Sequence, residues 1–131
     1  MLDTNAVSYL VKKDAVMMQR VQAVPISALC ISAITHGELL FGLAKRPEAT
    51  RLHAAVRAFL RCVDVMPWNE TVSEHYAHIR ATLVRQGKTL APLDLLIAAH
   101  AISIGAVLVT NDQAFRLLDS LRLEDWTEAV S

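Results

Sequence analysis

The sequence predicts an α/β fold, with a central, mostly parallel sheet of four to five strands and helices on both faces. Three observations carry that prediction. Short apolar runs alternate along the chain with longer segments whose apolar residues recur at helical spacing. The short runs are apolar throughout rather than apolar at every second position, as in strands covered on both sides. The segments between them are long enough to hold crossover helices, which parallel pairing requires.

Composition agrees. The chain has 131 residues, 53% of them apolar, with only four glycines and four prolines, which suits one folded domain over 1–131 and argues against disorder. Thirteen basic and thirteen acidic residues cancel. No chain-wide attraction to nucleic acid or a membrane surface is built in, so a nucleic-acid partner needs a local basic patch or bound metal ions. Cys30 and Cys62 form neither a CxxC pair nor a disulfide framework, which points to a reducing, cytoplasmic setting. No apolar run reaches membrane-span length, and the start carries no export-signal pattern, so no membrane partner is expected.

Residues 1–3 are expected to end a short strand. Residues 5–12, "NAVSYLVK", read as a helix, and 14–24, "DAVMMQRVQAV", as a second short helix stopped near Pro25. "ALCISA" at 28–33 suits a buried strand. Residues 34–45 follow helical spacing, with Leu40, Phe41 and Ala44 expected on the apolar face and Pro47 beyond the end. Leu52, Val56, Phe59 and Leu60 mark a further helix over 49–61. "VDVMPW" at 63–68 reads as a strand. Val72, Tyr76, Ile79 and Leu83 define a long amphipathic helix ended by Gly87. Pro92 suits a first helical turn, and "LLIAAHAISIG" continues that helix to Gly105. "AVLVT" at 106–110 is the clearest buried strand. A short helix over 111–118 and a final strand in "LRLEDW", 121–126, complete the chain.

Four acids stand out against this layout. Ligands of open α/β sheets bind beyond the carboxyl ends of the strands. Asp3 ends the first strand, and Asp112 lies two residues past "AVLVT". Each alone is equally well explained as a helix cap. Glu38 is the only acid between residues 15 and 47, and with Ile34 and Phe41 one turn away it interrupts an apolar face. A buried carboxylate there is costly unless paired or metal-bound, although a tilted helix would let it reach solvent. Asp94 is the only acid between 75 and 111 and opens a helix apolar nearly all round. Favourable placement at a helix N-terminus explains it as well. Taken together, oxygen-only ligands spread along the sequence suit magnesium or manganese rather than zinc. Two such ions serve phosphodiester cleavage by activating water and stabilising the leaving oxygen.

The stretches "MLDTN", "ISAITHGELLFGL", "APLDLLIAAHAISIGAVLVTND" and "LRLEDW" resemble the PIN-domain ribonucleases, specifically VapC-type toxins of type II toxin–antitoxin pairs. The similarity runs over essentially the whole chain in motif order and spacing. It implies a PIN-like domain and a Mg²⁺- or Mn²⁺-dependent endoribonuclease. It also implies an RNA substrate such as tRNA, a homodimer, and inhibition by a VapB-type antitoxin. The family's acidic quartet carries over onto Asp3, Glu38, Asp94 and Asp112 as metal-binding and catalytic residues. Asn5, Thr110 and Asn111 match its polar positions and are expected to orient carboxylates. Two residues precede Asp3 where the family often has several, so the first strand is expected to be short or its natural start to lie upstream. Asp112 falls in the most variable part of the family pattern.

Lys12, Lys13, Lys45, Arg46, Arg85 and Lys88 lie near expected helix ends, where they suit either an RNA groove or ordinary solvated surface. "HGE" at 36–38 mimics the H-x-E of zinc deaminases, but no P-C-x-x-C accompanies it. His100, on an apolar helix, reads as a core or dimer-face residue, and Trp68 and Trp126 as packing near sheet edges. Two other classes compete with the nuclease. One is a catalytically inactive PIN-fold module binding RNA or antitoxin, against which four intact acids count. The other is a receiver-like phosphoacceptor domain, whose paired acids and late lysine are absent.

Overall fold

Two parallel strand pairs organise the chain. In the computed structural model, which describes residues 1–128, β1 (Cys30–Ser32) pairs with β2 (Asp64–Met66), and β3 (Leu108–Val109) pairs with β4 (Leu123–Glu124). Met1–Asp3 runs between the pairs. Leu2 N–H donates to the Cys30 carbonyl at 2.9 Å, Val109 N–H to the Met1 carbonyl at 2.8 Å, and Asp3 N–H to the Val109 carbonyl at 3.1 Å. The Met1 ammonium adds a bond to the Val107 carbonyl at 2.8 Å.

The helices are α1 (Thr4–Val11), α2 (Ala15–Gln22), α3 (Ala33–Ala44), α4 (Thr50–Cys62), α5 (Glu70–Arg85) and α6 (Pro92–Ser103). Short polar side chains start most of them by accepting an orphan N–H. Asp3, Asp14, Ser32 and Asn69 cap α1, α2, α3 and α5 in this way. Pro92 opens α6, and its missing N–H costs nothing there. Gly87 and Gly105 take positive φ just past α5 and α6, where a left-handed residue ends the helix.

Strand alternation sends neighbouring residues to opposite faces. Met1 and Leu108 join one core with Ile79, Leu83, Ile97 and Phe115, from α5, α6 and the 3-10 turn Gln113–Leu117. Leu2, Ile31 and Val109 join a second core with Val7, Met17, Leu39 and Val56, from α1 to α4. Both faces are thus covered, which explains why the strands read as continuous apolar runs.

The helices fall within a residue or two of their expected places; the expected sheet of four to five strands is assigned as two parallel pairs, and three further departures stand out. The segment expected as a helix over 111–118 is the five-residue 3-10 turn Gln113–Leu117. The strand expected over 106–110 pairs only at Leu108 and Val109. The buried face of α3 is Thr35, Leu39 and Leu43, whereas Phe41 is 65% exposed and Ala44 also faces out. Apolar residues surround that helix, so spacing alone does not choose its inner face.

His100 is a core residue, fully buried within the chain, and therefore not on a dimer face. Its Nδ1 lies 2.7 Å from the Ser32 hydroxyl, tying α6 to the end of β1, and its ring meets Trp68 edge-on at 5.5 Å. Burial holds its pKa below the ordinary histidine value, hence the ring is neutral. Trp126 is buried just past β4, and Arg20 of α2 stacks over it at 5.7 Å. Cys30 and Cys62 are free thiols, and among the described residues no helix is long and apolar enough to cross a membrane.

Candidate active site

Strands are parallel within each pair, and Leu2 bridges Val109 in the same sense, so Asp3 and the residues after β3 emerge at one edge of the molecule. Asp3 leaves the first segment there, 4% exposed, with Oδ1 accepting the Ala6 N–H at 2.7 Å. It therefore caps α1 while its carboxylate belongs to this edge. Ser32 turns the chain from β1 into α3, and Glu38 follows on the side next to buried Thr35. Asp94 sits in the first turn of α6, which Pro92 opens. Past β3, the Thr110 hydroxyl accepts the Asp112 N–H at 3.0 Å, and Asp112 Oδ1 accepts the Ala114 N–H at 2.9 Å.

Asp3, Thr4, Asn5, Glu38, Asp94 and Ile97 line a cavity of about 90 Å³. Asp112 is outside that lining but repels both Asp3 and Asp94. The Asp3 carboxyl is pushed above the usual range, chiefly by burial. Hydrogen bonding from Thr110 and Ala6 pulls it back, and repulsion from Asp94 and Asp112 adds to the rise. Asp94 is raised by burial first, then by Asp112 and Glu38. Four acids from four separate segments thus influence one another at one edge.

The donor set has the chemistry of a hard-cation site: oxygen only, negatively charged and partly desolvated. Burial and mutual repulsion both disfavour the charged state that a cation would relieve. The side chains do not close on a point. Among the described residues, no three His, Cys, Asp or Glu groups stand close enough together to hold an ion as positioned. Glu38 and Asp112 each have one oxygen engaged, by a hydroxyl or a backbone N–H, and keep a second, while Asp3 is held by both the Ala6 N–H and Thr110.

The other expected site residues divide. Thr110 supports both Asp3 and Asp112. Asn5 is exposed at the rim of the acid cavity. Asn111 turns its amide to the Tyr9 hydroxyl at 3.2 Å instead of to a carboxylate. Two residues escaped the sequence reading. The Thr4 hydroxyl donates to Glu38 Oε1 at 2.7 Å, and its position directly after Asp3 was the available signal. Nothing in the sequence linked Tyr9 to Asn111. Lys12 and Lys45 line an apolar groove of about 360 Å³ that opens onto Glu38, between α1, α3 and α4. Lys13, Arg46, Arg85 and Lys88 are exposed at other helix ends.

A parallel α/β arrangement with acids gathered beyond its strand ends places a ligand site at that edge, and an all-oxygen donor set there suits metal-assisted chemistry on a phosphate ester. The comparisons agree with this class. Residues 1–121 match the PIN domain family, and the chain belongs to it. Its relatives there are VapC ribonucleases. It is 34% identical over 97% of both chains to the tRNA(fMet)-specific endonuclease VapC of Shigella flexneri. It is 36% identical over 98% of both chains to ribonuclease VapC1 of Haemophilus influenzae strain R2866. Among solved structures, the DNA-bound VapBC complex of Salmonella typhimurium contains a chain with TM-score 0.88 and 35% identity, each covering 96% of the other. A chain of VapBC-1 from nontypeable Haemophilus influenzae gives TM-score 0.87 at 34% identity over 98% of both.

Proposed function

We propose that this chain is a Mg²⁺- or Mn²⁺-dependent endoribonuclease, with structured RNA such as tRNA as its substrate, silenced by a VapB-type antitoxin. The observation that carries the reading is the meeting of Asp3, Glu38, Asp94 and Asp112 at one edge, in a chain resembling VapC ribonucleases along nearly its whole length. A divalent cation held by these four acids supplies Lewis acidity at the phosphate and makes water a better nucleophile at neutral pH. The chain's own groups set the stage. Ala6 N–H and Thr110 fix Asp3, Thr4 fixes Glu38, and Ala114 N–H fixes Asp112. Lys12 and Lys45 offer charge to the flanking RNA backbone. In-line attack by water leaves 5′-phosphate and 3′-hydroxyl ends.

Residues 1–131 form a single domain in this reading, of which 129–131 lie outside the described residues. Met1–Asp3 joins the two strand pairs into one five-membered sheet. The setting is cytoplasmic and the active form a homodimer, to which the exposed apolar positions of α3 contribute. A sedimentation mass of one chain at micromolar concentration, with normal activity, would contradict the dimer. The groove beside Glu38 is lined by Leu39, Leu43, Leu52 and Val56 and ends at a negatively charged cavity. It suits an antitoxin tail that is apolar along one face and carries an Arg to pair with carboxylate. Full inhibition without contact to the acids or the groove would remove that reading.

The competing reading is a binding module without catalysis. Incubating purified chain with total RNA and Mn²⁺, then sequencing the new 5′ ends, separates them. Discrete cuts that disappear in EDTA are expected, and their absence with every divalent ion tried would favour the binding module.

A further inference from the structure

Beside the acid cavity lies a second, polar cleft. Asn5, Ser8 and Tyr9 form one face of α1, at the three- and four-residue spacing of a helix stripe, and Lys12 at the helix C-cap continues it. Asn111, on the loop that also carries Asp112, closes the other side. The cleft holds about 380 Å³, within the size range of small-ligand sites. It adjoins the acid cavity, because Asn5 lines both.

Its contents are unusual for solvated surface. Tyr9 is 37% exposed, with its hydroxyl fixed by the Asn111 amide at 3.2 Å. The opposite face of α1 is already filled by Ala6 and Val7, so Tyr9 does not serve the core. The Asn111 oxygen and the Asn5 amide make no hydrogen bond among the described residues. Lys12 supplies a positive charge about 10 Å along the helix from Asn5, seven residues at about 1.5 Å each. A held aromatic ring, free amide groups and a cation are the parts that bind a nucleotide: a stacking face, base-edge partners and a phosphate partner.

We propose that this cleft seats the RNA nucleotide next to the scissile phosphate. The base stacks on Tyr9, Asn5 and Asn111 meet its edge, and Lys12 pairs with the following phosphate. This inference rests on the ribonuclease reading for the position of the scissile bond. Tyr9 contributes binding affinity for the nucleotide that lies beside the acids.

The test measures binding of a short poly(U) oligoribonucleotide and of its abasic counterpart in EDTA, by fluorescence anisotropy, to the full chain and its Tyr9→Leu, Tyr9→Phe and Asn111→Ala variants. Full chain is expected to prefer the base-bearing strand by roughly tenfold. Tyr9→Leu should erase that preference, Tyr9→Phe should keep most of it, and Asn111→Ala should fall between. In Mn²⁺, Tyr9→Leu should raise KM with little change in kcat, because stacking is uniform binding. Melting curves of the three variants should overlay that of the full chain, since the ring lies outside the core.

A base preference that survives Tyr9→Leu overturns the proposal. So does an unchanged RNA affinity accompanied by weakened antitoxin binding, which would hand the cleft to the protein partner. Failure of the ribonuclease reading looks different: no cut in RNA with any divalent ion, while the Tyr9-dependent base preference in EDTA persists.

Discussion

Asp94→Asn separates a ligand-binding acid from a structural one. The substitution removes one charge and keeps nearly the same volume. Asp94 is half-buried and faces repulsion from Asp112 and Glu38. For a half-exposed side chain a high effective dielectric is appropriate. At about 40, with roughly 6 Å between charges, each like-charge pair costs about 1.4 kcal/mol. Against this, an acid in the first turn of α6 gains about 0.3–1 kcal/mol from the helix dipole, which Asn forfeits. Repulsion from the two partners wins, and a net gain of about 2 kcal/mol without cation corresponds to roughly 7 °C in melting temperature for a chain of this size. The assay is paired: thermal unfolding in EDTA, and RNA cleavage with Mn²⁺. Melting should rise or hold, while cleavage is abolished. A clear fall in melting temperature, with cleavage retained in manganese, would make Asp94 a structural acid and dismantle the proposed site.

Three further outcomes follow from the geometry. The stability advantage of Asp94→Asn in EDTA should depend on pH. The raised Asp94 pKa means that its protonated form suits the fold, so its contribution is present below the ordinary carboxylate range and lost as pH rises through the raised value. The variant's advantage should thus vanish below about pH 4 and grow towards neutrality, and an advantage that shrinks with rising pH would refute the assignment. Thr4→Val removes the hydroxyl that holds Glu38 Oε1 at 2.7 Å. Cleavage should fall about 10–100-fold with melting little changed, and undiminished kcat would exclude a role for Thr4 in holding that carboxylate. Lys13 has φ of 61°, a left-handed conformation that favours glycine. Lys13→Gly should stabilise by up to about 1 kcal/mol in denaturant melts, and a loss would mean that the lysine side chain contributes contacts of its own.

The sequence by itself determined the helices, the sites of the strands and the chain positions of the four acids. Those features are local. Val72, Ile79 and Leu83 repeat at helical spacing, Pro92 and Gly105 mark helix ends, and solitary acids beside apolar runs stand out. The resemblance of "MLDTN" and "APLDLLIAAHAISIGAVLVTND" to PIN-domain ribonucleases was likewise visible before any coordinates. Tertiary structure decided what depends on which neighbour covers which surface. It placed Thr35, Leu39 and Leu43 inward on α3, because α1, α4 and α6 pack there, while Phe41 stays on the open side with the Lys45 ammonium over its ring. It shortened the third strand to Leu108 and Val109, because pairing lasts only while Arg122–Glu124 and Met1–Asp3 run alongside. It joined Thr4 to Glu38 across 34 residues and Tyr9 to Asn111 across 102. Hydrogen bonds of such long reach leave no periodic trace in a sequence, since each end is compatible with many partners until the fold brings one of them within about 3 Å.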